Sequence, residues 1–397
     1  MLPLFMIVLV DLIGFGLYIP LLPFYAEHYQ ATPFIVGLVM AMFSFAQFIS
    51  APFWGNLSDR FGRKPILMIG MAGSMISYIW LAYADTLWML FAARALSGLM
   101  AGNIAAAFAY MADVTTRETR AKGMGMIGAA FGLGFIAGPA IGGILAGSDP
   151  ANADFQTPAL VAAALSATAF ILTMLILKES LSPDVRKKMA GEKRPTRTEQ
   201  FRAILSQPST LRIVGLIFLA TFVFAGLEST FAMWSRRQFG WGPEQNGYLF
   251  AFIGIISAII QGGLIGRMAK SMGEKTLIIQ GAAALALGVF LIPFADNLIV
   301  LVIAMMIAGY GYSIITPALN SLISLQASDS EQGSTLGVAR SASTLARIAG
   351  PAWAGMLFSA LGMDWPYFGG AIVMLGVIAL AWNTRKHVQD SRNETLE

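Results

Sequence analysis

The sequence predicts an all-α membrane protein: twelve transmembrane helices in two pseudo-symmetric bundles of six. Three observations carry that prediction. Of 397 residues, 56% are hydrophobic and 12% are charged, half the roughly 25% charged residues of a soluble domain. Apolar runs of about 20 residues, long enough to cross hydrocarbon, follow one another with short polar turns between them. Landmarks also recur at one spacing. Gly55, Gly62 and Lys64 return 211 positions later as Gly266, Gly273 and Lys275, and Gly98 returns as Gly309. Gly138-Pro139 returns as Gly350-Pro351, one position further on. Three segments that keep this offset to within one position mark an internal duplication.

The spans lie near 4–26, 34–56, 66–84, 88–112, 123–146, 158–177, 213–235, 245–266, 276–294, 298–323, 336–360 and 367–384. They divide the chain into an N-terminal bundle (1–177), a basic connector (178–212) and a C-terminal bundle with a short tail (213–397). With the N-terminus inside, the even-numbered turns and the tail hold 21 of the 26 Lys and Arg, and the other side holds Arg236 and Arg237. That asymmetry places both termini in the cytoplasm. The net charge of +4 thus reports topology. It does not indicate nucleic-acid binding, for which there is no basic soluble domain. The chain has no cysteine, and His28 and His387 are its only histidines. They fall on opposite faces, so no metal site or cofactor is expected, and nothing supports enzymatic activity. The first apolar run lacks a charged leading segment and contains Asp11, so it reads as a retained span rather than a signal peptide.

Taken in order, span 1 places Asp11, Phe15, Tyr18 and Leu22 on one helical face. A carboxylate inside a span is costly, so Asp11 points into a cavity or toward a partner; a cap or salt bridge near the helix end is the competing account. Gly14, Gly16, Pro20 and Pro23 serve packing and bending. Span 2 carries Gln47 among phenylalanines, either a hydrogen bonder for substrate or a tie between helices. The stretch Gly55-Asn-Leu-Ser-Asp-Arg-Phe-Gly-Arg-Lys-Pro65 reads as a tight polar turn, with Gly55 and Gly62 bending the backbone and Arg60, Arg63 and Lys64 anchoring it. In span 4, Arg94 lies about two turns deep, either at a site or snorkelling outward, and the span ends near Asp113. In span 5, Gly134, Gly138 and Gly142 are spaced by four, with Pro139 and Gly143, and make a smooth seam for a neighbouring helix.

Residues 178–212 carry Arg186, Lys187, Lys188, Lys193, Arg194, Arg197 and Arg202, a headgroup-facing connector with a surface helix around 197–206. Glu228 in span 7 is the sole acid within a C-terminal span and has no basic residue three or four positions away, so it is the leading protonatable site. Gln261 in span 8, Tyr310, Tyr312 and Asn320 in span 10, and Arg347 in span 11 complete the candidate substrate-facing set. Arg340, seven positions before Arg347 and on the same face, can snorkel toward the cytoplasm.

The spelling G-x-L-S-D-R-F-G-R-K-P between two spans resembles the loop 2–3 signature of the major facilitator superfamily, a family of secondary transporters. The Arg94-x-x-x-Gly98 pattern resembles the family's span-4 motif, where a buried arginine is linked to proton coupling. The span-5 glycines resemble the antiporter motif of its drug-exporting branches. The likeness covers nearly the whole chain and is nearest to the drug:proton antiporter branch that includes tetracycline exporters, carried also by Gln47-Phe48, Ala51-Pro52 and Gly55. It implies the major facilitator fold, a location in a bacterial inner membrane, a monomer, and a cytoplasmic charge network of Asp59, Arg63 and Asp113. Tetracycline exporters have an acid in span 3 where this chain has Ser77, a histidine in span 8 where it has Ser257, and an acid in span 9 that is missing here. Coupling then falls on Asp11, Arg94 or Glu228. The function implied is proton-coupled export of amphipathic, drug-like small molecules, with protons, substrate and the bilayer as partners. The alternatives are proton-linked nutrient uptake or export of an organic anion, for which Arg94, Arg340 and Arg347 supply counter-charge, and, from another class, a non-transporting receptor.

Overall fold

The structure, a computed structural model, describes residues 1–181, 206–326 and 332–394. Within them every regular element is a helix. Helix α1 (Leu2–Tyr18) meets α2 (Leu22–His28) at a 40° bend. Pro20 lies at the bend and Pro23 opens α2, where a missing N–H costs nothing. Helix α3 (Pro33–Phe61) is capped at its start by Thr32, whose hydroxyl accepts the Ile35 N–H. It is followed by α4 (Arg63–Ala82), α5 (Leu87–Ala101), α6 (Ile104–Asp113), α7 (Arg117–Ala146) and α8 (Gln156–Ile176). Then come α9 (Pro208–Phe239), α10 (Pro243–Ile259), a π turn at Ile260–Leu264, α11 (Ile265–Met272) and α12 (Glu274–Leu291). A short 3-10 turn, Ile292–Phe294, precedes α13 (Leu298–Gln326), α14 (Gln332–Leu361) and α15 (Trp365–Glu394).

Among the described residues, ten helical segments are each long and apolar enough to cross a membrane, and the bent α1–α2 pair makes an eleventh. The twelfth span is α14, 30 residues long, in which Arg340, Arg347 and several hydroxyl residues lower the apolar content. Most helices outrun the predicted spans where basic residues follow, because hydropathy sees only hydrocarbon while the helix continues among the headgroups. The loop-2–3 stretch shows this, and it corrects the sequence reading. Gly55 lies inside α3, not in a turn, and the whole reversal is made by Gly62, with φ 108°. Gly273 repeats that geometry in the second half, with φ 75° between α11 and α12, which is the duplication seen in backbone form. Both φ values lie where a side chain is strained.

Contacts group the chain into two compact units, Met1–Arg194 with Phe231–Gly254, and Pro195–Thr230 with Ile255–Glu397. The division therefore cuts α9 and α10 as well as the connector. In the first unit α1 lies against α7 and α8, α3 against α5, and α4 against α8. In the second, α12 lies against α13 and α15. A bilayer supplies no hydrophobic drive between helices, so close approach rests on small residues. A Cβ on Gly138 would stand 2.6 Å from the Gly16 backbone of α1, and one on Gly134 would stand 2.8 Å from Leu12. The apolar side chains left outside, such as Leu175 and Ile299, each 72% exposed, suit lipid. The basic residues of the connector from Arg186 to Arg202, and residues 197–205 of its predicted helix, lie outside the described residues.

Candidate functional site

Three polar clusters stand out from the apolar body. The first gathers where α3, α4, α6 and the end of α8 meet. The turn at Gly62 throws Arg63 back over α3, and its side chain is 5% exposed. Arg63 donates to Asp59 at 2.6 Å, to Asp113 at 3.1 Å and to the Ser58 hydroxyl at 2.9 Å. The three residues named for a charge network do meet, and Ser180 adds a hydrogen bond to Asp113 at 2.9 Å. Glu179 was missed from sequence. Its two oxygens accept the backbone N–H groups of Arg63 and Lys64, so it caps the start of α4, where the helix dipole is positive. The available signal was an acid one step beyond an apolar run on the otherwise basic side. Arg60 points outward and its guanidinium lies over Phe61, 5.4 Å from the ring centre.

The second cluster lies inside the first unit. Asp11 accepts a hydrogen bond from Ser166 of α8 at 3.1 Å, a partner that sequence spacing could not reveal. Arg94 is buried and stands over the Phe43 ring at 4.6 Å, a cation–π contact strengthened by loss of water. Phe15 packs on Phe43, with ring centres 4.9 Å apart. Tyr18, expected in a substrate cavity, is buried and donates its hydroxyl to the Phe155 carbonyl at 2.7 Å; it ties α1 to the start of α8. Gln47 donates to the Ala101 carbonyl at 3.3 Å, and Trp54 to the Leu99 carbonyl at 2.5 Å. Both serve carbonyls at the end of α5, which the break at Gly102 and Asn103 deprives of helical partners. Gln47 is thus an interhelical tie. The span-5 seam is continuous here. Gly134, Gly138 and Gly142 face α1, while Gly143 and Pro139 meet the Pro243–Gly247 turn of α10.

The third cluster lies inside the second unit. Arg347 of α14 donates to Glu228 of α9 at 3.4 Å. The sequence reading sought a base only along the same helix and found none, whereas the fold supplies one 119 positions away. Phe224, one turn before Glu228, lies flat on Tyr312, with ring centres 3.7 Å apart and planes 4° from parallel. Tyr310 accepts a hydrogen bond from Gln280 at 2.7 Å, an unforeseen link between α12 and α13. Ser257 and Ser313 share a hydrogen bond at 2.5 Å. Gln261 is exposed on the π turn, and Asn320 is exposed near the end of α13. Among the described residues, Tyr310 thus meets Gln280 and Arg347 meets Glu228, while Gln261 and Asn320 lie on exposed faces of their helices. Among the described residues no group of carboxylates and histidines could hold a metal ion.

Comparison with known proteins accounts for this layout. The family model of the Major Facilitator Superfamily matches residues 4–277 and 262–397. The class B tetracycline resistance protein of Escherichia coli is 29% identical, with 98% of this chain and 97% of that protein covered. Multidrug resistance protein 2 of Bacillus subtilis (strain 168) is 28% identical over 96% of this chain and 94% of its own length. The crystal structure of the human organic anion transporter MFSD10 superposes with a TM-score of 0.73 at 25% identity, covering 96% of this chain and 98% of that one.

Proposed function

The chain belongs to the major facilitator superfamily, and on that premise we propose that it exports amphipathic, drug-like small molecules in exchange for protons. It is a multi-pass membrane protein, and its relatives include tetracycline and multidrug resistance proteins. The observation that carries the reading is the ionic pair Glu228–Arg347 set deep within long apolar helices. In a bilayer such charges persist where they serve a path for ions or substrate. Glu228 carries the exchanged proton. A proton entering from the outer side neutralises it, water on the inner side removes the proton, and a substrate cation competes for the same carboxylate. Asp11, held by Ser166, is the second proton site, and Arg94 on Phe43 sets the charge balance of the first unit. The network of Asp59, Arg63 and Asp113 acts as a cytoplasmic clasp, and the glycine seam lets α1 and α7 slide. The protein works as a monomer, with both termini in the cytoplasm.

The test is flux in proteoliposomes with an imposed pH gradient. A fluorescent lipophilic cation should be concentrated against its gradient into the more acidic compartment, and a proton-sensitive dye should report protons leaving that compartment. Uptake that survives collapse of the gradient by an uncoupler would overturn proton exchange.

A further inference from the structure

A further ionic cluster lies at the other end of α3 from Arg63. Helix α3 has 29 residues, about 43 Å at 1.5 Å per residue, so the two clusters stand at opposite faces of the membrane. Glu27, in the last turn of α2, pairs with Arg236 at 3.2 Å through one oxygen and with Arg237 at 3.1 Å through the other. Helix α2 comes from the first repeat and α9 from the second, and the paired residues are 209 and 210 positions apart. Tyr25 and Tyr29 donate their hydroxyls to the Ala84 carbonyl, which fixes α2 against the end of α4. Arg236 and Arg237 are the two basic residues on the side that the sequence otherwise leaves acidic, against the usual bias.

The same region is closed by shape. Glu244 donates its N–H to the Gly147 carbonyl at 3.2 Å. A Cβ on Gly242 would overlap the Ser148 carbonyl oxygen, and one on Gly247 that of Pro139. Residues Phe231–Gly254 accordingly group with Met1–Arg194. The Glu27 side chain is 11% exposed, and those of Arg236 and Arg237 are 37% and 41% exposed. The three residues line a cavity of about 430 Å³ together with Gln30, Ala31 and Thr32. Parting the ions therefore moves them into water and leaves no lone buried charge, so the contact can break and re-form.

We propose that Glu27 is an ionic latch on Arg236 and Arg237, which holds the outer ends of α2 and α9 together and parts whenever that face opens to substrate. Shape closes the seam, and the latch sets how often it opens. The three residues are unequal. Loss of either arginine leaves one ion pair, whereas loss of Glu27 leaves none and sets two neighbouring guanidiniums against each other. The inference needs only that the protein transports, and it holds whichever way substrate and protons move.

The chain has no cysteine, so Thr86→Cys and Tyr248→Cys, both at exposed positions clear of the latch, place one pair of spin labels across this face. Distances between the labels in nanodiscs, at fixed pH and without substrate, report the closed and open populations. One half-exposed ion pair shifts an equilibrium about 1.5- to 5-fold. Arg236→Gln or Arg237→Gln should raise the open-to-closed ratio by about that factor, and Glu27→Gln by about 2- to 25-fold. In the Glu27→Gln background, Arg237→Gln should add no further opening. Raising salt from about 0.01 M to about 1 M shortens the Debye length from about 30 Å to about 3 Å. It should open the wild type and leave Glu27→Gln where it was. An unchanged ratio in Glu27→Gln, an arginine substitution that opens both backgrounds equally, or salt acting alike on wild type and Glu27→Gln overturns the latch. Absence of proton-driven flux sinks the efflux reading alone, because the distances are read without substrate or gradient.

Discussion

Glu179 closes the start of α4, its Oε1 accepting the backbone N–H of Arg63 at 2.9 Å while its Oε2 takes that of Lys64 at 3.2 Å. The contact joins positions 116 residues apart and holds the end of one span against the beginning of another. It combines a capping hydrogen bond with a favourable charge at a helix terminus. Glu179→Ala should cost about 1–2 kcal/mol of stability, and Glu179→Gln should recover part of it. Thermal melting in detergent checks this. Identical midpoints for wild type and Glu179→Ala would remove the cap from the account.

Arg63 serves Asp59 and Asp113 together, so the two acids are coupled through it. Asp59→Asn and Asp113→Asn should be non-additive in stability and in flux, with an interaction of about 0.5–3 kcal/mol. Arg63→Ala should be worse than either, because it leaves two carboxylates facing each other. A double-mutant cycle that sums cleanly would show the acids act independently.

The seam prediction is steric. A Cβ at Gly138 would meet the backbone of Gly16, and backbone yields less readily than a side chain. Gly138→Leu should leave a helical protein that transports poorly or not at all. Gly128, where a Cβ meets nothing within 4 Å, serves as the control, and Gly128→Ala should be silent. Full flux from Gly138→Leu is the result that sinks the seam.

Glu228→Gln mimics the protonated carboxyl and also removes the charge that Arg347 faces. It should abolish concentration of substrate against a gradient while allowing downhill exchange, whereas Asp11→Asn should do less. The measurement is flux with and without an imposed pH difference. Concentrative transport by Glu228→Gln would make the residue structural.

A pH prediction concerns Asp154 at the start of α8. Burial pushes its carboxyl up, but bonds from the Thr157 hydroxyl and the Thr157 and Gln156 N–H groups outweigh that and hold it below the usual carboxylate range. A depressed folded value means that its stabilisation is present above the ordinary aspartate value of about 3.9 and is lost as pH falls through the folded one. Asp154→Ala should cost about 1 kcal/mol at pH 7, and the gap to wild type should close toward pH 3. A gap that persists at low pH would assign the effect to packing instead.

The number of spans, their order and the duplication were legible because each rests on a local property. A bilayer demands long apolar runs, and Gly62 and Gly273 mark turns that only glycine makes easily. The network of Asp59, Arg63 and Asp113 was legible only through the resemblance, since Asp113 lies 50 positions from Arg63. Gly55 was misplaced for a related reason. A polar stretch between apolar runs looks like a loop, yet a helix can carry polar residues once it has left the hydrocarbon.

What the sequence determined by itself was therefore the membrane-crossing helical architecture, the two halves and the seam-forming glycines, because hydropathy and backbone permissiveness are properties of short segments. The tertiary structure decided which polar groups satisfy one another. Glu228 finds Arg347, Asp11 finds Ser166, Gln47 finds the Ala101 carbonyl, and Tyr18 finds that of Phe155. These partners sit on different helices, and no periodicity within one helix encodes which face of another it will meet. In a medium that leaves buried polar groups no water to bond, those long-range meetings decide which helices are tied to one another.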